Sequence, residues 1–305
     1  MNCCIFAGQG AQAPGMGRDF AETDAEARAL FDRAGAVLGF DLAKVCFEGP
    51  AEELTKSNVC QPAIFVTSYV AYLALQKKRP TEFACAAGLS LGEWGALCAA
   101  GVLDFESTLT VLEARGRFMQ EACEAVPSGM VAIVGASADQ LKEICSRTGC
   151  TVANINSAAQ QVLSGSKDAI ASAVAAAKEL GVKRAIPLAT AGAFHSPFMA
   201  PAREKLAPVV EKVAFSAPKI PVLSNVTGKP HSSDPGAIKA AMLEQVTGTT
   251  NWAADVECAK SIGCTTFVEF GPGKVLSGLV KKIDPSLATL NVADLASLDA
   301  TVAAL

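Results

Sequence analysis

Charge is scarce in this sequence: 18% of its 305 residues are Asp, Glu, Lys or Arg, against about 25% in typical domains. Half of the residues are apolar, which excludes a disordered chain and describes a compact globular protein of one large domain or two modest ones. Basic residues are not in excess either. The net charge is −4, and without a basic face nucleic acid is not an expected partner. No uninterrupted apolar run reaches the ~18 residues of a bilayer span, so no membrane segment is expected. The opening Met-Asn-Cys-Cys-Ile-Phe lacks a basic segment leading into an apolar one, so no signal peptide is expected. The cysteines number eleven but form no Cys-x-x-Cys pair. Their scattered, Ala/Val/Leu-rich surroundings suit small buried residues of a soluble protein in a reducing compartment, with neither a metal nor a disulfide framework. Histidine occurs twice, so a reaction that needs an imidazole has only His195 and His231 to draw on.

What the sequence does contain is an alternation of short apolar runs with long amphipathic helical patterns, the signature of an α/β protein. Residues 3–6 and 83–87 read as buried strands, 91–100 as a helix stopped by Gly101, and 104–124 as a long helix. The stretch 127–189 is different. It reads as strand 130–134, helix 138–146, strands 151–154 and 161–164, helix 168–180 and strand 183–188, the β-α-β-β-α-β order of a ferredoxin-like small subdomain. This unit is inserted into a larger α/β body with a parallel sheet, formed by 1–126 and 190–305. The cleft between them is the expected ligand site.

The body carries Gly88-Leu89-Ser90-Leu91-Gly92, a Gly-x-Ser-x-Gly between a strand and a helix. That context makes the pentapeptide a nucleophile elbow, with the serine oxygen beside the free N–H groups and positive dipole end of the helix. A serine alcohol needs a base. His231, in Lys229-Pro230-His231-Ser232-Ser233-Asp234, reads as an exposed residue of a polar turn. His195, in Ala193-Phe194-His195-Ser196 just after a strand, is the expected base. An oxyanion hole needs two N–H donors: Leu91 supplies one, and Gln9, in the glycine-rich loop Phe6-Ala7-Gly8-Gln9-Gly10, the other. The same loop matches the dinucleotide fingerprint, but Pro14, Gly15 and Gly17 interrupt the helix that a Rossmann site requires.

In the helix over 104–124, Leu109, Leu112, Gly116, Met119 and Cys123 form an apolar stripe. Arg115 falls on its edge beside Met119, whereas Arg117 faces away, within i,i+4 reach of Glu113. A guanidinium aimed inward needs an anion. Two partners suit it: a buried carboxylate in a structural ion pair, or a substrate carboxylate gripped by two parallel hydrogen bonds.

With these residues in view, the chain resembles the malonyl-CoA:acyl carrier protein transacylases of type II fatty acid synthesis and the acyltransferase domains of polyketide synthases. The resemblance runs nearly end to end. Its carriers are Phe6-Ala7-Gly8-Gln9-Gly10-Ala11-Gln12, Gly88-Leu89-Ser90-Leu91-Gly92-Glu93, Arg115-Gly116-Arg117-Phe118-Met119-Gln120, Asn154-Ile155-Asn156-Ser157-Ala158-Ala159-Gln160, Ala193-Phe194-His195-Ser196, Ser224-Asn225-Val226-Thr227-Gly228 and Glu269-Phe270-Gly271-Pro272-Gly273-Lys274. It implies a hydrolase-like large subdomain with the ferredoxin-like insert. Ser90 is then the nucleophile, His195 its base, Gln9 and Leu91 the oxyanion donors, and Arg115 the ligand of the malonyl carboxylate, with Met119 beside it in the substrate site. The resemblance alone implies that the backbone carbonyl of Gln245 orients His195, that Asn156 and Gln160 line the site, and that Phe194 selects malonyl by crowding a methyl branch. The implied substrates are malonyl-CoA and holo acyl carrier protein, with no metal or redox cofactor and with the chain acting as a monomer. An acidic carrier protein would meet a basic rim at Lys274, Lys281 and Lys282.

The chain departs from the family pattern at Leu89, where a histidine is usual, at Ala7 for a proline, at Ala158-Ala159 for Pro-Gly, and over Thr247-Gly248-Thr249-Thr250-Asn251 for Tyr-Asn-Pro-Val. Gly-Leu-Ser-Leu-Gly together with Gly-Ala-Phe-His is more like plastid forms, so the plastid stroma is the expected compartment and a bacterial-type cytoplasm the alternative. The competing function is an α/β-hydrolase acting on esters or thioesters. It needs an acid between Ser90 and His195 in chain order, where Asp104, Asp139 and Asp168 read as helix caps or first-turn residues.

Overall fold

The computed structural model describes residues 1–305. Ten strands occur along the chain: β1 (Asn2–Phe6), β2 (Cys85–Gly88), β3 (Ser128–Val134), β4 (Thr151–Ser157), β5 (Gln160–Ser166), β6 (Arg184–Pro187), β7 (Leu223–Ser224), β8 (Lys229–Pro230), β9 (Thr266–Phe270) and β10 (Ala288–Val292). The first sheet has the order β10-β9-β1-β2 and is parallel at every pairing. Its central strand explains the apolar run at the start of the sequence. Cys4 and Phe6 enter the largest hydrophobic cluster on one face, while Cys3 and Ile5 enter a second cluster on the other. A parallel strand covered on both faces needs apolar residues at every position. Nine of the eleven cysteines are buried, all eleven as free thiols.

The helix Ser57–Lys78 packs in the main core. Its length and composition would suffice to cross a membrane, but most of its side chains are buried inside the protein. The helix Phe105–Ala125 lies against it so closely that a Cβ at Gly116 would stand 2.3 Å from the Ser57 carbonyl oxygen. The side chain of Asp104 caps this helix by accepting from Ser107 N–H. At the far end of the chain, Glu269 on β9 accepts the N–H groups of Leu276 and Ser277, which start the helix Val275–Ile283.

The second sheet has the order β4-β5-β3-β6 and is antiparallel throughout. It is backed by the helices Ala138–Thr148 and Lys167–Glu179 and has its own small core around Val131, Ile133, Ile144 and Leu163. The elements agree with the sequence reading in kind and order and differ at their ends. β4 continues to Ser157, past the expected 154, because Asn154 and Asn156 interrupt the apolar pattern while their backbone still pairs. The segment Thr249–Asn251 stitches this sheet to the first body: Ile155 N–H donates to Thr250 O and Thr250 N–H to Ala153 O, both at 2.9 Å. The loop after β1 opens no helix until Arg18, which follows Gly17 at φ 76°, so the helix N-terminus that a dinucleotide cradle requires is missing there.

Candidate active site

Ser90 sits at the C-terminal end of β2 and caps the helix Leu91–Ala99 with φ 58° and ψ −107°. It and His195, at φ 55°, are the only non-glycine residues in the left-handed region, where strain is tolerated only if the surroundings enforce it. The flanking glycines are there for close approach. A Cβ on Gly88 would lie 2.1 Å from the Gly92 backbone, and one on Gly92 would lie 2.1 Å from the Phe6 carbonyl oxygen. Asn225 holds the turn from the side. Its Oδ1 accepts from Ser90 N–H at 2.7 Å, and its Nδ2 donates to Gly88 O and Asp255 Oδ2, both at 2.8 Å.

His195 Nε2 lies 2.8 Å from Ser90 Oγ, and its Nδ1 lies 2.8 Å from the Gln245 carbonyl oxygen. A carbonyl can only accept, so Nδ1 carries the proton and Nε2 is free to accept from the serine hydroxyl. Burial, reinforced by the charge of Arg115, pulls His195 from 6.5 down to about 4, which keeps the imidazole neutral, with Nε2 open to a proton, at ordinary pH. Arg115 is 1% exposed. Its Nη2 donates to Ser90 Oγ at 2.9 Å and to Gln245 Oε1 at 3.1 Å, and its Nη1 donates to Gln61 Oε1 at 2.7 Å, while Nε is buried without a partner. These three acceptors are neutral, so the alternative of a direct ion pair with a buried carboxylate is not realised. Burial lowers the guanidinium to about 10 against the opposing pull of Glu93. It still carries its charge and has binding capacity unspent.

A cavity of about 600 Å³ opens over Ser90 between the two sheets. The first body contributes Gln9, Met119, Phe194 and His195 to its walls, and the second sheet contributes Met130, Asn154, Asn156 and Gln160. Asn156 Oδ1 is buried there without a partner, and Gln160 Oε1 accepts from Lys282 at 3.1 Å. Leu91, Arg115 and Gln245 lie behind the wall, buried at 1%, 1% and 0% exposure. Leu91 is the first residue of its helix, so its N–H belongs to the unpaired first turn. A larger cavity, about 770 Å³, lies among the helices near Phe20 and Leu298 and includes none of these groups. No group of three or more His, Cys, Asp or Glu is placed to hold a metal ion.

The sequence reading named Gln245 for its carbonyl alone, missed the roles of Glu93, Asn225 and Asp255 beneath the serine, and misplaced His231. The structure buries the His231 side chain at 2% exposure, against the expected solvent-exposed turn, because Nε2 reaches 2.6 Å to Glu93 Oε1 across 138 residues of sequence. Glu93, Asn225, Gln245 and Asp255 are each fully buried. A polar Gln61 in the apolar run Cys60-Gln61-Pro62-Ala63 was the one signal that could have marked an Arg115 partner beforehand.

A serine on a strained elbow, a histidine oriented by a carbonyl and a buried arginine on the same oxygen define a serine-dependent acyl-transfer site. The chain belongs to the acyl transferase domain family, which matches residues 3–298. Within it, the chain is 40% identical over 295 residues to the malonyl CoA-acyl carrier protein transacylase of Bacillus subtilis, covering 95% of this chain and 92% of that protein. It is similar to the crystal structure of an acyl carrier protein S-malonyltransferase from Vibrio cholerae, with TM-score 0.93, 38% identity and coverage of 98% and 99%. It is also similar to a malonyl-transacylase solved in complex with its type II polyketide synthase acyl carrier protein, with TM-score 0.95, 36% identity and coverage of 100% and 99%.

Proposed function

We propose that this chain transfers a malonyl group from malonyl-CoA to the phosphopantetheine thiol of acyl carrier protein through a malonyl-serine intermediate. One observation carries the reading: Arg115 Nη2 and His195 Nε2 address the same Ser90 oxygen, at 2.9 and 2.8 Å. A base and a fixed cation on one nucleophile suit an acyl group that is itself an anion, and a neutral ester gives the cation no task. The orienting group at Nδ1 is a carbonyl, which also counts against a hydrolase with an acid in the triad.

Ser90 Oγ attacks the thioester carbonyl while its proton passes to His195 Nε2. The oxyanion is met by the N–H groups of Gln9 and Leu91. The C–S bond breaks, and His195 returns the proton to the departing coenzyme A sulfur. The carrier thiol then gives its proton to His195 and attacks the malonyl ester, and Ser90 leaves with that proton. Arg115 holds the malonyl carboxylate in both halves. Asn156, Gln160 and Met119 line its pocket, and Phe194 crowds a branched acyl chain. Each step is a proton transfer or an acyl transfer, which needs no metal or redox cofactor. All the groups named come from one copy of the chain, in keeping with a monomer.

The architecture is read as a hydrolase-like subdomain of 1–126 and 190–305 with a ferredoxin-like subdomain of 127–189, supported by the second sheet's order β4-β5-β3-β6. The exposed Lys274, Lys281 and Lys282 start and end the helix whose Val275 and Leu279 line the cavity, and they suit an acidic carrier. The named relatives are bacterial, which moves the proposed compartment from the plastid stroma to the bacterial-type cytoplasm. Intact-mass spectrometry after mixing with malonyl-CoA alone tests the function. One malonyl adduct is expected on Ser90, discharged by holo acyl carrier protein and absent in Ser90→Ala. Hydrolysis of malonyl-CoA without an adduct refutes the transfer reading in favour of the hydrolase.

A further inference from the structure

Besides Ser90, one residue holds both His195 and Arg115, and that residue is Gln245. Its backbone carbonyl accepts from His195 Nδ1, and its side-chain Oε1 accepts from Arg115 Nη2 at 3.1 Å. Its Nε2 donates to Ser90 O at 2.9 Å and to Glu93 Oε2 at 2.5 Å. The amide has a definite orientation because its neighbours differ in kind: two acceptors face the nitrogen and one donor faces the oxygen. Turned over, the amide would point its N–H groups at the guanidinium and its oxygen at a carboxylate.

Glu93 provides the stronger of those two acceptors. It is fully buried on the first turn of the helix after Ser90, three residues on. Its carboxylate takes one hydrogen bond from Gln245, one from Asn225 N–H at 3.3 Å, and one from His231 Nε2 at 2.6 Å. A buried carboxylate is tolerated only when donors surround it, and His231 is the one of the three that makes no hydrogen bond to Ser90. The charge has a second use. Arg115 is buried with no carboxylate among its hydrogen-bond partners, and Glu93 is the anion whose field favours its charged form. Burial, then the neighbouring Glu93, push the Asp255 carboxyl well above its ordinary range.

The geometry points to Glu93 and His231 as a pair of positioning residues. His231 holds the Glu93 carboxylate, and Glu93 orients the Gln245 amide, which aims Arg115 at the acyl group and keeps its carbonyl under His195. Neither residue touches the reacting atoms. The inference rests on malonyl transfer for its selectivity readout and on the Ser90–His195 pair for a second readout that is independent of malonyl.

The experiment uses the full chain with Glu93→Gln, Glu93→Asp, His231→Leu and His231→Gln. It measures kcat and KM for malonyl-CoA and acetyl-CoA, and the rate of Ser90 labelling by a neutral serine-directed phosphonate. Loss of a hydrogen bond to a charged group is worth about a 10- to 100-fold change. Glu93→Gln, whose amide lets Gln245 turn over, is expected to lower the malonyl-to-acetyl preference by about that factor and to slow phosphonate labelling about tenfold. His231→Leu moves both readouts in the same direction. His231→Gln restores a neutral N–H donor and Glu93→Asp a carboxylate, and each recovers most of the loss. Thermal melting establishes the folded fraction by which the rates are normalised, and a variant that merely loosens the fold lowers both substrates alike without moving their ratio. An unchanged preference and labelling rate in folded Glu93→Gln overturns the inference, as does equal loss in His231→Gln and His231→Leu. If the unaltered protein takes no malonyl group, the proposed function fails by itself, and the phosphonate rates alone decide the positioning role.

Discussion

Acidification probes the state of the base directly. His195 is buried beside a cation and pulled from 6.5 to about 4. At about pH 5 a base of this kind is still about nine-tenths neutral, whereas an imidazole of ordinary pKa would be about 3% neutral. The rate of Ser90 acylation by malonyl-CoA should therefore fall less than about twofold between about pH 8 and about pH 5, where an unperturbed histidine predicts about a thirtyfold fall. The substrate carboxylate stays ionised over this range, so the assay reports the enzyme. Rapid mixing, acid quench and intact mass give the single-turnover rate at each pH. The same perturbation has a stability signature. Because the folded value lies below the unfolded one, the unfolded chain takes up the proton first as the pH drops. The contribution is complete above about 6.5 and is lost toward about 4, to a depth of about 3 kcal/mol, observable as a falling urea midpoint. An acid limb centred near 6.5 in the acylation rate would refute the reasoning, because it would mean that His195 is hydrated or paired with an anion.

Arg115→Ala should cut kcat/KM for malonyl-CoA by about 100-fold or more while changing acetyl-CoA little, since only the first substrate has a carboxylate to lose two charge-assisted bonds; an intact preference contradicts the clamp. Gly92→Ala forces a Cβ to within 2.1 Å of the Phe6 carbonyl oxygen. It should destabilise the protein by about 3 kcal/mol in urea titrations, and a neutral result means that the elbow is looser than described. Asn225→Ala strips partners from Ser90 N–H, Gly88 O and Asp255. A loss of about 2–4 kcal/mol should appear together with slower Ser90 acylation, and wild-type values for both would separate Asn225 from the strained turn.

The parts of this molecule that were legible in advance are those whose signal is local. Cys3-Cys4-Ile5-Phe6 must be buried on both faces, and the chain encloses it in a parallel sheet. The helical spacing that turns Arg115 inward and Arg117 outward is realised, with Arg117 on Glu113 at 2.9 Å. What stayed hidden depends on partners distant in sequence. Glu93 looks like an ordinary acidic residue favoured by a helix N-terminus, and His231 sits among Lys, Pro, Ser and Asp as a turn residue would. Their contact spans 138 residues, and no periodicity or propensity encodes it. The altered stretch after Gln245 is a third case. Its threonines carry no pattern, yet Thr250 adds itself to the edge of the second sheet, which fixes the chain that bears the His195 carbonyl partner.

That partner is a main-chain atom, and this has a genetic consequence. Where a carboxylate orients a catalytic histidine, one codon change removes it, and the loss shows at once as a dead base. A carbonyl is present at position 245 whatever the side chain, so a substitution there blunts the base only as far as it lets that backbone drift. Saturation mutagenesis of Gln245 should accordingly produce enzymes that confuse their acyl groups, through the freed Arg115, more readily than enzymes that cannot acylate at all. In this site inheritance protects the base better than it protects the choice of substrate.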